Sequence, residues 1–127
     1  MEDYRASDQK TILIIDDDLA MQTVLEIALR EAGYRVILAG DGQEGLAKLN
    51  ELNPDLIISD IMMPQMDGVE TFDRMKEHLQ EEGIPILIMT ALSRKPWFAD
   101  LEAEGAVILQ KPFDIEKVLQ LVYDMLH

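Results

Sequence analysis

The 127 residues contain no cysteine, which excludes a disulfide framework, a thiolate zinc site and a cysteine nucleophile. Basic residues are scarce: eleven Lys and Arg stand against 25 Asp and Glu, for a formal charge of −14. A chain this acidic is not expected to grip nucleic acid by neutralising phosphates. Its surface suits solubility, divalent cations or a basic partner. Long apolar runs are also missing. They break off after about five residues, well short of the ~20 a membrane helix needs, and no signal peptide precedes them, so a soluble cytoplasmic protein is the expectation. At this length the chain forms one domain that can bury a core without metal or disulfide staples. No internal repeat, low-complexity tract or interdomain linker interrupts it.

What the sequence does contain is organised around Asp55 to Gly68. Leu56, Ile57 and Ile58 form a short apolar run that ends in Ser59-Asp60, as suits a strand buried on both faces of a parallel sheet. Pro64, Asp67 and Gly68 then bring turn chemistry, leaving Asp60 at the strand's carboxyl end. Met1 to Lys10 is polar and aperiodic and reads as a frayed leader outside the fold. Ile12 to Ile15 is another buried run, ending in Asp16, Asp17 and Asp18. Leu19, Met21, Val24, Leu25, Ala28 and Leu29 follow at helical spacing, and Gly33 stops that helix. Tyr34 to Ala39 is a weaker strand, and Gly40-Asp41-Gly42 opens a helix to about Leu52, ended by Asn53-Pro54.

After the central strand comes a helix from about Val69 to Gln80, with Val69, Phe72, Met75 and Leu79 facing the core, broken by Gly83. Ile84 to Met89 is the next apolar run, ending at Thr90-Ala91. Pro96 suits the first position of a helix through Glu104. Ala106 to Leu109 is a fifth strand, followed by Gln110, Lys111, Pro112 and Phe113. Asp114 to Leu126 is an amphipathic helix with Ile115, Val118, Leu119, Val122 and Met125 on one face. Five alternating strand–helix units predict a single-domain, doubly wound α/β fold with a parallel five-stranded sheet.

In such a sheet all strands end on one rim, so Asp16, Asp17, Asp60, Thr90 and Lys111 gather there. A single aspartate after a strand is more often a cap or turn former than a chemical group. Four of five strands delivering a polar group to one rim is much harder to attribute to turns. Two carboxylates about 4 Å apart repel by roughly 4 kcal/mol at an effective dielectric of about 20, so three of them need a cation. Oxygen ligands without His or Cys favour Mg²⁺, which keeps several waters and commonly shares itself with a phosphate. With Lys111 as a fixed positive charge and Thr90 as a hydroxyl donor, a carboxylate nucleophile is equipped to take up a phosphoryl group. Asp18 reads as the N-cap of the first helix. His78 and His127 lie away from the rim and read as surface residues, and most of the eight methionines as core filler.

IIDDD at 14–18, SDIMMPQMDG at 59–68, MTA at 89–91 and KPF at 111–113 together resemble the receiver domain of two-component response regulators. The order and spacing of the four segments carry the resemblance, which runs from about Thr11 to the end. It implies a flavodoxin-like sheet in the order 2-1-3-4-5, with Asp60 as phosphoacceptor. Asp16 and Asp17 would hold Mg²⁺ with Asp60 and the backbone carbonyl of Met62, and Thr90 and Lys111 would contact phosphoryl oxygens. Lys111-Pro112 resembles the family's cis peptide bond. The partners implied are a sensor histidine kinase or histidine phosphotransfer protein and a downstream protein target or output domain, through the face formed by the fourth helix, fifth strand and fifth helix. The protein would be a monomer or a weak phosphorylation-dependent dimer. A module of this kind catalyses its own phosphorylation and dephosphorylation and does not turn over external substrates. No output domain is expected within these residues, so the module would act by binding another protein or as a piece of a longer regulator or hybrid kinase.

The sequence departs from the family pattern in three places. Where the family usually has an aromatic residue, three positions before the lysine, this chain has Ile108, so the usual threonine–aromatic coupling is in question. Met62 and Leu92, each two positions beyond a site residue, are apolar and cannot orient an attacking water, which predicts slow loss of the phosphoryl group. Trp97 and Phe98 are adjacent on one helix and cannot both face the core; the outer one is a candidate contact for a partner or a second copy. Two rivals stand beside this reading. One is a haloacid-dehalogenase-like phosphatase using the Asp16/Asp18 spacing, which lacks an acidic pair after the fourth strand and room for a substrate cap. The other is a degenerate docking module that is never phosphorylated.

Overall fold

A computed structural model describes residues 9–61 and 67–127 of the protein. The strands are β1 (Thr11–Ile15), β2 (Arg35–Ala39), β3 (Leu56–Asp60), β4 (Ile86–Thr90) and β5 (Ala106–Gln110). They alternate with α1 (Leu19–Glu31), α2 (Gly42–Leu52), α3 (Gly68–Glu82), α4 (Phe98–Ala103) and α5 (Ile115–Leu126). All pairings are parallel, and the sheet runs β2-β1-β3-β4-β5.

Because both faces of β1, β3 and β4 are covered, their apolar runs split alternately between two cores. Leu13, Ile15, Ile57 and Ile88 pack with Leu49, Phe72, Met75, Leu79, Phe98 and Leu101 on the side of α2, α3 and α4. Ile12, Ile14, Leu56, Ile58, Leu87 and Met89 pack with Leu25, Leu29, Val118 and Val122 of α1 and α5.

Several ends follow from local chemistry. Asp18, Asp41 and Asp67 cap α1, α2 and α3, each side chain accepting backbone N–H groups of the first turn. Gly83 ends α3 in the left-handed conformation at φ 68°, which a glycine adopts without steric cost.

Two expectations change in detail. The fourth helix begins at Phe98, not Pro96: Phe98, Ala99 and Asp100 donate to Lys95, Pro96 and Trp97. These are i→i−3 bonds, a tighter turn than an α-helix makes. On α1, Leu19 and Val24 are exposed, whereas the polar Gln22 is buried with Leu25 and Leu29. At 3.6 residues per turn Val24 lies about 200° around the helix from Gln22, so its apolar side chain does not reach the sheet.

Candidate functional site

β1 and β3 are neighbours in the sheet, and the connections that follow them run toward opposite edges, so the rim between them is the fold's switch point. Asp16 follows the last residue of β1 and Asp60 is the last residue of β3. Carboxylate oxygens of Asp16, Asp17 and Asp60 all lie within 4.8 Å of one another. Asp16 and Asp60 are buried and Asp17 is exposed at the mouth.

Each group is held by its own local geometry. Asp16 donates its N–H to the Ala39 carbonyl at 3.0 Å, a last rung between β1 and β2. Its Oδ1 accepts the Asp18 N–H at 2.9 Å. Its Oδ2 has no hydrogen-bond partner and is the one buried polar side-chain atom among the described residues in that condition. Burial pushes the Asp16 carboxyl up from its ordinary 3.8 to about 6; the Asp18 N–H opposes the shift, the Asp60 charge adds to it and Lys111 draws it back. Asp60 Oδ1 accepts the Ile61 N–H at 2.8 Å, while Oδ2 lies 3.7 Å from Lys111 Nζ.

Thr90 ends β4 fully buried. Its hydroxyl oxygen accepts the Leu92 N–H at 3.0 Å, and its carbonyl accepts the Lys111 N–H at 2.6 Å. The Lys111–Pro112 bond is cis. Gln110 Nε2 donates to the Leu92 carbonyl at 2.9 Å, tying the loop after β4 to the end of β5.

The structure therefore brings Asp16, Asp17, Asp60 and Lys111 together and places Thr90 at the end of the adjoining strand. Met62 lies outside the described residues, as does most of the leader. Ile108 and Leu92 are partly buried against the core on the α2–α4 side. Phe98 is fully buried, and Trp97 is 36% exposed, its ring edge-on to Phe98 at 4.8 Å. Asp18 is committed to α1, accepting from Ala20 and Met21, which removes the second aspartate that a dehalogenase-type phosphatase would need. His78 and His127 are engaged elsewhere, with Asn53 and Tyr123.

Sequence reasoning passed over Gln22, whose side chain donates to the carbonyls of both Asp16 and Ala39. The available signal was a polar residue at an inward position of an apolar stripe, three before Leu25 and seven before Leu29.

The donor set suits a divalent cation. Three oxygen ligands converge, one of them buried with an unpartnered oxygen and a raised proton affinity, and among the described residues no His joins them. An unneutralised acidic cluster of this kind is electrostatically costly, and a cation offsets that cost.

A parallel doubly wound fold with an acidic, cation-fitting cluster and a lysine beside it at the switch point is the class of protein these features define. The chain belongs to the response regulator receiver domain family, whose model matches residues 12–123. The transcriptional regulatory protein ZraR of Klebsiella oxytoca is 40% identical over 114 residues, covering 89% of this chain and 25% of that protein. The DNA-binding dual master transcriptional regulator RpaA of Synechocystis sp. is 39% identical over 116 residues, covering 91% of this chain and 48% of that one. The chain thus spans about a quarter to a half of the length of these relatives. Among solved structures, the chemotaxis response regulator CheY4 of Vibrio cholerae superposes with a TM-score of 0.83 at 33% identity, covering 92% of this chain and 98% of that one. Membership places the chain among the signalling modules of two-component systems. Among the described residues no helix is long and apolar enough to cross a membrane.

Proposed function

We propose that Asp60 accepts a phosphoryl group from the phosphohistidine of a sensor kinase or histidine phosphotransfer protein, with Mg²⁺ held by Asp16, Asp17 and Asp60. The observation that carries this reading is the convergence of three carboxylates within 4.8 Å beside a lysine 3.7 Å from Asp60. When bound, the ion supplies charge neutralisation to phosphoryl oxygens as the group moves. An Asp60 carboxylate oxygen forms the new P–O bond as the P–N bond to the donor imidazole breaks, and the imidazole recovers a proton from solvent. Lys111 sits where it can pair with one phosphoryl oxygen, and Thr90 brings a hydroxyl to the adjoining strand end.

The readout runs through the surface of α4, β5 and α5, where the exposed Trp97 is a candidate contact for a protein target, an output domain or a weakly associating second copy. The net charge of −14 leaves DNA contact, in the regulators it resembles, to segments other than this one. A cytoplasmic setting fits such a module.

Intact mass after incubation with acetyl phosphate and Mg²⁺ tests the reading. One added phosphoryl group, absent with EDTA and from Asp60→Asn, is the expected result; an unchanged mass would move the weight to a phosphorylation-independent docking module. The same measurement over time reads the lifetime of the phosphorylated form. That lifetime is long if Leu92, with no hydrogen-bonding side-chain group, leaves water unoriented, and Leu92→Glu shortens it.

A further inference from the structure

Gln22 is one of six buried polar or charged residues among those described, at 6% exposure. It sits on the sheet-facing side of α1, where a leucine would be ordinary. Its amide nitrogen donates to the Asp16 carbonyl at 2.7 Å and to the Ala39 carbonyl at 2.9 Å. Both partners can only accept, so the amide must turn both of its N–H groups toward them. The Ala39 carbonyl also accepts the Asp16 N–H at 3.0 Å. One side chain thus closes the carboxyl ends of β1 and β2 at the point where their ladder stops and backbone carbonyls run out of partners.

The bond to the Asp16 carbonyl fixes more than the strand end. That carbonyl belongs to the peptide joining Asp16 to Asp17, and a planar peptide held at its oxygen has a defined tilt. The tilt sets where the Asp17 side chain leaves the backbone. On the other side, the Asp18 N–H holds Asp16 Oδ1. The acidic pair is therefore clamped from the carbonyl by α1 and from the carboxylate by the start of the same helix. No other group among the described residues donates to the Asp16 carbonyl.

We infer that Gln22 is a positioning residue for the cation site: its amide locks the Asp16–Asp17 peptide so that the two carboxylates keep one spacing, and it thereby sets the affinity and selectivity of the site for Mg²⁺. The role rests on the metal reading above. Groups that orient metal ligands without touching the ion commonly change affinity 10–100-fold when removed. Mg²⁺ is more demanding of ligand geometry than Ca²⁺, which tolerates irregular and larger shells. Loosening the clamp should therefore cost Mg²⁺ more than Ca²⁺.

The test is calorimetric titration of Mg²⁺ and of Ca²⁺ into the protein and three variants, each first melted in EDTA to establish that it is folded. Gln22→Met keeps length and removes both donors. Gln22→Asn keeps the amide but is one methylene too short to bridge the two carbonyls, and it serves if the methionine variant does not fold. Leu29→Ala, at the far end of the same buried stripe, destabilises α1 without touching the rim. The expected result is a Mg²⁺ dissociation constant about tenfold weaker in the Gln22 variants, a smaller loss for Ca²⁺, and native affinities in Leu29→Ala. Native Mg²⁺ affinity in a folded Gln22 variant, or equal losses in Leu29→Ala, would overturn the role while leaving the cation site standing. Absence of Mg²⁺ binding in the unmodified protein would overturn the metal reading and this role with it.

Discussion

Asp16 has no exposed surface, and one of its two carboxylate oxygens is unpartnered. Its carboxyl titrates at about 6 instead of 3.8 because burial disfavours the charge. The folded state thus binds this proton more tightly than the unfolded chain does. The resulting stabilisation is complete below the unfolded value and is lost as pH rises through about 6. Above that, the ionised Asp16 burdens the metal-free fold. Asp16→Asn should therefore stabilise the protein in EDTA at pH 7.5 by about 2–3 kcal/mol, with the gap narrowing toward pH 4; urea unfolding at the two pH values reads it. A gap independent of pH would show that the carboxyl is not the source. Since a cation needs the ionised form, Mg²⁺ affinity should also fall as pH drops below about 6. The sequence made the acidic cluster legible, because strand ends and acids coincide at 16, 17 and 60. It left only a faint signal for Gln22, its spacing to Leu25 and Leu29, because the apolar residues of α1 spread around the helix and do not fix its rotation about its axis.

Among the elements, α2 packs closely on the strand that carries the site. A Cβ on Gly45 would come within 2.5 Å of Ile15 Cδ1 and 2.9 Å of its Cγ1. Ile15 is fully buried and immediately precedes Asp16, so it has little room to turn aside. Gly45→Ala should cost about 1–3 kcal/mol by overpacking, despite alanine's better helix propensity. Adding Ile15→Val, which removes the Cδ1 methyl, should recover a large part of that loss. Denaturant midpoints for the two single variants and the double give the coupling, and simple additivity would mean that the approach is slack. The element order and most boundaries were readable from apolar runs, Asp caps and Gly stops. The fourth helix was the exception: Pro96 carries an N1 signal, yet the chain makes i→i−3 bonds through Trp97 before helical bonding begins. Phe98, fully buried and crossed by Arg94 at 5.7 Å from its ring centroid, anchors that turn to the core. Tertiary packing sets that start, and local propensity does not.

For the whole molecule, charge and metal act together. The protein carries −14, and part of that charge is concentrated at one rim. A ligand that binds only the folded state at about 100 times its dissociation constant adds about 2.7 kcal/mol. That corresponds to a rise in Tm of roughly 10 °C for a domain of this size. Melting in Mg²⁺ should show such a rise, reversed by EDTA and largely absent from Asp60→Asn. NaCl at the same ionic strength should raise Tm less, since it only screens. Equal shifts in the two salts would reduce the effect to relief of general repulsion.

The sequence by itself determined the class of fold, the rim and most of the residues on it. Strand–helix alternation permits few arrangements, right-handed crossovers put every strand end on one edge, and acids at those ends have one place to go. Only the tertiary structure decided which side of α1 faces inward, which of Trp97 and Phe98 is buried, and that an amide from α1 holds the peptide between two acidic residues. Those outcomes depend on how helices rotate and seat on a sheet whose apolar runs look alike on both faces, and that information lies in contacts between residues distant along the chain.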